Sequence, residues 1–219
     1  MLVLDNVVKL FEHDEIRTRA LNNVSLTINQ GDFVAVTGPS GCGKSTLLNV
    51  IGLLASFDDG SYQIDDIKIE GLSEVERRKI RNQKISFIFQ NFNLIDDLSV
   101  YQNVELPLLY QKMDKAEREK RINDVLEKID ISHRAGHFPR QLSGGQQQRV
   151  AVARSIVNQP RIILADEPTG NLDSKHRSEV MELLKDLNCQ GTTILMVTHS
   201  VEDAKYANKE IKLLDGSVQ

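Results

Sequence analysis

Hydrophobic positions along this chain follow two patterns that alternate. Phe33–Thr37 (FVAVT), residues 85–89 (ISFIF), 161–165 (RIILA) and 192–197 (TTILMV) are short apolar runs with few polar interruptions. Runs of that length suit strands covered on both faces of a parallel sheet. Between them lie stretches of helical character near residues 43–52, 145–158 and 175–188, and a short one after residue 200. The opening is different. Residues 2–10 and 20–28 are rich in β-formers, the second with partial alternation, and 29–32 (NQGD) punctuate a turn. Residues 61–70 alternate like an edge hairpin, 73–82 read as a charged helix, and 209–214 as a last strand. From Val100 to about His133 the period is helical. Ile122, Val125, Leu126 and Ile129 fall at i, i+3, i+4 and i+7, with Lys and Glu opposite.

Strands alternating with helices predict an α/β fold with a mostly parallel sheet, joined by an antiparallel β portion and interrupted by a helical lobe. The expected division is an α/β core over residues 1–90 and 142–219, with the helical lobe at about 91–141, all in one domain of 219 residues.

Composition narrows the partners. Hydrophobic residues make up 40% and charged residues 26%, the balance of a globular chain with a real core. The net charge of −4 carries no basic footprint, so nucleic acid is not an expected partner. Cys42 and Cys189 are too few for a disulfide framework and suit a reducing compartment. Asp5 interrupts the start where a secretory leader needs an apolar core, and no run of ~18 apolar residues occurs. Any role at a membrane therefore calls for a separate membrane subunit.

The chemistry begins after the first apolar run. Gly38, Pro39, Ser40, Gly41, Cys42, Gly43, Lys44 and Ser45 match G-x-x-x-x-G-K-S/T between a predicted strand and a predicted helix that opens through Thr46. Glycines let such a loop curl around phosphate with its amides inward, and the helix adds its positive end. Lys44 can reach the β- and γ-phosphates of a nucleotide, and the Ser45 hydroxyl can hold Mg²⁺. Asp166 emerges at the carboxyl end of the run 161–165, where open α/β sheets bind ligands, and Glu167 follows it. Asp166 is expected to orient the magnesium shell and Glu167 to activate water. His199 follows the run 192–197 on the same sheet edge. His13, His133, His137 and His176 have no such placement and read as surface residues.

A second anion site stands far along the chain. Ser143, Gly144, Gly145 and Gln146, preceded by Leu142, put a hydroxyl and bare glycine amides at a helix N-terminus. This segment resembles the signature sequence of the ABC ATPases, and the other motifs occur in that family's order. Phe11 resembles the adenine-stacking aromatic, here without the usual tyrosine hydroxyl, with a core or strand-end aromatic as the lesser alternative. Gln90 resembles the Q-loop glutamine, Asp173 in 170–173 (GNLD) the D-loop aspartate, and His199 the switch histidine. The resemblance implies a phosphate-loop NTPase (RecA-like) core that binds ATP and Mg²⁺ and forms a head-to-tail homodimer on ATP. Ser143 and Gly145 would then cap the γ-phosphate held by the other copy, His199 would clasp it, and Gln90 would join Asp166 and Ser45 around the metal. Cys42, inside the loop at a helix N-terminus, is expected to be a reactive thiol whose alkylation blocks ATP binding.

Residues 167–174 (EPTGNLDS), 89–94 (FQNFNL) and 103–107 (NVELP) resemble one branch, the ATPases of macrolide efflux pumps, lipoprotein-releasing machines and antimicrobial-peptide resistance systems. That resemblance implies a peripheral subunit on the cytoplasmic face of the plasma membrane. Its partner would be a permease with four transmembrane helices and a large extracytoplasmic domain, with a periplasmic adaptor reached through it. Leu94, Leu98, Val100 and Tyr101 are either the permease contact or the core of the small lobe. A DNA-acting relative is disfavoured, because Gln90 and Ser143 are only 53 positions apart, too close for a long coiled-coil insertion. A ribosome-associated relative would carry two ATPase domains. An ATPase of the same branch that activates cell-wall hydrolases in division remains open.

Overall fold

The computed structural model describes residues 1–13 and 16–219, with side chains described outside residues 12–16. In chain order the elements are β1 (Leu2–His13), β2 (Ile16–Ile28), β3 (Phe33–Thr37), α1 (Lys44–Ile51), β4 (Asp59–Ile64), β5 (Ile67–Lys68), α2 (Glu74–Lys84) and β6 (Ile85–Phe89). There follow α3 (Val100–Glu105), α4 (Lys115–Lys128), α5 (Gly144–Ile156), β7 (Ile162–Asp166), α6 (Ser174–Cys189), β8 (Thr193–Val197), α7 (Val201–Ala204), β9 (Lys209–Leu214) and β10 (Ser217–Val218).

Two sheets result. One is antiparallel in the order β2-β1-β4-β5; the other runs β10-β9-β3-β8-β7-β6, parallel except for β10 against β9. The central parallel strands β3, β7 and β8 are almost wholly apolar because both faces are covered, whereas β9 at the side of the sheet carries Lys209, Glu210 and Lys212. Val34, Val36, Leu164, Leu195 and Val197 point into a core shared with α1 and the antiparallel sheet. Their alternates Phe33, Ala35, Ile163, Ala165, Ile194 and Met196 point into a second core shared with α3, α4, α5 and α6. Period two on a strand thus serves two cores at once.

The predicted elements recur with shifted boundaries. β1 and β2 extend past the expected ends, because Leu10, Phe11 and Glu12 pair with Arg19, Thr18 and Arg17 and the ladder satisfies their backbone groups. The segment 61–70 breaks at Asp65, whose φ is 52°, into β4 and β5. The helical stretch 100–133 is two helices, α3 and α4, with a 3-10 turn at Leu106–Tyr110 placed by Pro107. Ile122, Leu126 and Ile129 lie in the second core with residues of α5, α6 and the sheet, so the lobe's apolar face continues the sheet's own core.

Of the two descriptions of the 94–101 patch, the structure supports the core. Val100 is fully buried, and Leu94 and Tyr101 pack against the second cluster. Buried Asn103 holds the preceding turn together. Its Oδ1 accepts from the Ile95 amide at 2.8 Å, and its Nδ2 donates to the carbonyls of Ile95, Leu98 and Ser99 at 3.0–3.1 Å. No helix among the described residues is long and apolar enough to cross a membrane.

Candidate active site

β3 delivers the chain to the loop 38–43, which turns back into α1. Gly43 is the residue before the helix, with φ 102°, and a Cβ there would lie 2.4 Å from the Ala20 carbonyl oxygen of β2. Only glycine meets both demands. No side chain caps this helix, so its first-turn amides keep no side-chain acceptor of their own, the arrangement that suits an anion. Lys44 is buried, and its Nζ donates to the carbonyls of Gly38 and Pro39, both at 2.8 Å. The loop is thus already closed around a cation at its mouth.

A cleft of about 730 Å³ opens over this loop. Ser40, Gly41, Gly43, Lys44, Ser45 and Thr46 form its floor, Phe11 one wall, and Glu167 and His199 the far side. Phe11 is 49% exposed and lies 5.7 Å from the Lys9 ammonium at its ring centroid, so it is no core aromatic. Thr18, Arg19 and Ala20 of β2 and Asp215–Gly216 of the β9–β10 turn complete the wall. Sequence reasoning missed these five. They carry no local signal and arrive only because the two sheets meet here.

The acid end follows from β7. Asp166 closes that strand, and burial, reinforced by the neighbouring Glu167 charge, holds its carboxyl above the usual carboxylate range, while Lys44 draws it back. Glu167 takes the left-handed conformation, φ 45°, and its amide donates to Val197 O at 2.9 Å across the sheet edge. That turn carries its carboxylate to His199, with Nδ1 and Oε1 2.9 Å apart. Glu167 and His199 therefore line the cleft with Lys44 and Ser45, while Asp166 does not line it but stands within electrostatic reach of Lys44. Among the described residues no three His, Cys, Asp or Glu side chains form a metal cluster. One carboxylate, that of Asp166, and one hydroxyl, that of Ser45, suit an ion such as Mg²⁺, which keeps waters and takes substrate phosphates for the rest of its shell.

Gln90 follows β6 and turns toward the 167–173 segment. Its Nε2 stands 3.4 Å from Asn171 Oδ1, and Asn171 Nδ2 donates to Gln90 O at 3.1 Å. Downstream, Arg154 of α5 donates to the carbonyls of Phe92 and Asn93 at 2.8 and 2.6 Å, tying this loop to the helix that starts at Gly144.

Ser143 caps that helix. Its Oγ accepts from Gln146 N at 3.3 Å, and Gln146 Oε1 accepts from Ser143 N at 3.0 Å, a reciprocal capping box. None of Ser143, Gly144, Gly145, Gln146 or Asp173 lines the cleft. Within one chain the loop 38–46 and the segment 143–146 stay apart. Asp173 caps α6, where the His176 amide and ring Nδ1, at 3.0 and 2.7 Å, hold its carboxyl below the usual range. His176 is not the plain surface residue expected. Its ring lies over Gly145, where a Cβ would approach Cδ2 to 2.4 Å, so it joins the starts of α5 and α6. His137 is half-buried beside Arg134, at 3.0 Å, while His133 is exposed as expected; the His13 side chain falls outside the described residues.

The reactive-thiol expectation for Cys42 is overturned. Its side chain is 4% exposed and belongs to the first core, whereas Cys189 at the end of α6 is exposed. A buried thiol cannot meet a bulky electrophile whatever the loop's electrostatics. Brief treatment of the native protein with a maleimide therefore modifies Cys189 and leaves Cys42 until the protein is denatured. Peptide mass mapping that finds Cys42 labelled first would contradict this packing.

Known proteins share the arrangement. A family model described as ABC transporter matches residues 21–170. The uncharacterized ABC transporter ATP-binding protein MJ1508 of Methanocaldococcus jannaschii is 50% identical over 218 residues, spanning all of this chain and 97% of that protein. The macrolide export ATP-binding/permease protein MacB of Bdellovibrio bacteriovorus is 44% identical across the whole chain, which spans 33% of that longer protein. The dimeric structure of MJ0796, an ABC transporter cassette, superposes with a TM-score of 0.91 at 48% identity, covering 100% of this chain and 97% of that one. A second structure of that cassette is a post-hydrolysis dimer bound to ADP and Pi.

Proposed function

The chain belongs to the ABC transporter family, and from that premise we propose that it binds and hydrolyses ATP as half of a head-to-tail homodimer that drives a separate permease. One observation carries the reading most. Glu167 and His199 meet at 2.9 Å across the phosphate loop, while Ser143 and Gly145 present a second anion site that cannot reach that cleft. A second copy supplies what one chain lacks, and the MJ0796 dimers support that pairing.

In this reading Phe11 stacks on the adenine, and the backbone N–H groups of residues 38–46, other than Pro39, which has none, cradle the phosphates. Lys44 exchanges its two carbonyl partners for phosphate oxygens, a gain in charge complementarity. Ser45, Asp166 and Gln90 hold Mg²⁺, which when bound neutralises charge on the transferring phosphoryl group. Glu167 accepts a proton from the attacking water, and His199, released from Glu167, turns to the γ-phosphate. Ser143, Gly144, Gly145 and Gln146 of the other copy cap that phosphate, with Asp173 at the same seam. Purified wild-type chain tests the core of this proposal through Mg²⁺-dependent release of phosphate from ATP.

Residues 91–141 form the permease-facing lobe in this scheme. Its exposed apolar surface lies beside α2, where Val75 and Tyr110 are 73% and 80% exposed and line one groove with Arg78, Lys79, Pro107 and Lys112. That groove suits an amphipathic permease helix with acidic flanks. The MacB relative, in which ATPase and permease share one chain, supports a permease of that class acting by mechanotransmission on an extracytoplasmic domain or adaptor, and a place on the cytoplasmic face of the membrane. Replacing Tyr110 by Ser and Lys79 by Glu together lowers recovery of the permease from native membranes by about tenfold or more, with the isolated chain's ATP turnover unchanged. Undiminished recovery would move the contact elsewhere.

A further inference from the structure

One buried charge has no part in the scheme above. Asp203 of α7 is 2% exposed, four residues beyond His199, in a helix whose neighbours Val201 and Glu202 face solvent. Its Oδ2 accepts a 2.5 Å hydrogen bond from the Thr169 hydroxyl, itself 1% exposed and two residues beyond Glu167. Its Oδ1 stands 4.0 Å from Arg177 Nε of α6, a buried donor without a hydrogen-bond partner. The Asp203 amide is held by Ser200 Oγ at 3.2 Å, and Ser200 N by Thr198 Oγ1 at 3.0 Å. On the other side of Thr169, Pro168 O accepts from the buried Gln148 side chain of α5 at 2.5 Å.

A carboxylate so enclosed is poorly compensated by one hydroxyl and one distant guanidinium, and an apolar side chain would fill the place at less cost. What the arrangement supplies is geometry. Glu167 and His199 sit on different segments, each leaving a different strand of the sheet, and neither segment is regular at that point. Besides the Glu167–His199 contact itself, the Thr169–Asp203 bond is a side-chain link between those segments, and the Glu167 amide to Val197 O is a backbone link. Gln148 fixes the same turn to the helix that begins at Ser143.

We infer that Asp203 is a positioning residue for hydrolysis, which through Thr169 sets the Glu167 segment against the His199 segment. The inference rests on Glu167 and His199 being the reacting pair. Neither Asp203 nor Thr169 lines the cleft over the loop 38–46, so the bond acts on turnover and leaves nucleotide binding alone.

Three single variants and one double variant test it; the single ones are Asp203→Ala, Thr169→Val, which removes the donor at constant shape, and Asp203→Asn, which retains an acceptor. The first two lower kcat for ATP by about tenfold or more with KM within about twofold, since small misplacements of reacting groups cost more than binding does. Asp203→Asn recovers most of that loss. The double variant Asp203→Ala/Thr169→Val is no slower than the slower single one, because both remove one bond. A Thr169→Val enzyme with kcat within about twofold of wild type, or a double variant whose effects multiply, overturns the inference. A readout without turnover accompanies these. NMR signals of the His199 ring in the nucleotide-free protein shift in Thr169→Val, and unshifted signals count against the link. Wild-type chain that releases no phosphate would remove the ATPase reading itself, while the His199 signals still decide whether Asp203 positions that loop.

Discussion

Glu167→Gln lowers ATP turnover by about 10²–10⁴-fold and converts the chain into a stable ATP-bound dimer. The amide keeps the shape of the side chain and its reach to His199 but has no lone pair basic enough to take a proton from water. Binding is untouched, since the floor of the cleft is made by the phosphate loop and α1. ATP therefore accumulates between two copies, and size-exclusion chromatography with ATP and Mg²⁺ moves from monomer to dimer. Brisk turnover by this variant would remove Glu167 as the base, whatever its place beside His199. The stalled dimer is also the form in which to recover the membrane subunit. A permease with four transmembrane helices and a large extracytoplasmic domain supports the mechanotransmission branch, and a channel-like permease with many helices overturns it.

Lys44→Ala weakens nucleotide binding itself, by about 10- to 100-fold for loss of a charge-assisted contact of roughly 1.5–3 kcal/mol. The buried ammonium donates to two carbonyls of its own loop, so its removal also leaves the Gly38 and Pro39 oxygens to find other partners. Equilibrium binding of a fluorescent ATP analogue reads the change, and circular dichroism checks that the fold survives. Unchanged affinity would count against residues 38–46 as the phosphate site. The two variants separate the chain's tasks: one binds without turning over, and the other fails before chemistry.

Much of the site was legible because its parts are local. A phosphate loop is a contiguous segment between a strand and a helix, and its glycines answer to the backbone of that segment alone. Asp166 and Glu167 announce themselves by following an apolar run, and Ser143–Gln146 by opening a helix. Cys42 misled for the same reason. Its neighbours along the chain describe an anion site, but its side chain points the other way, into the core beneath α1. His176 misled in reverse, since its partners Asp173 and Gly145 come from two helices that only packing brings together. Asp203 carries no motif of its own, and its meaning depends on Thr169, thirty-four positions away.

The sequence by itself determined the alternation of strands and helices, the mostly parallel sheet, the glycine-rich loop 38–43 and the acids 166–167 at the end of a strand. Those follow from periodicity and from backbone demands within a few residues. Only the tertiary structure decided which side chains face the cleft and which face the core, the walls contributed by 18–20 and 215–216, and the 2.9 Å meeting of Glu167 with His199. It also decided that the helical lobe continues the sheet's core. These are contacts between segments far apart in the chain, and their energies come from packing two faces together, which no single stretch of sequence encodes.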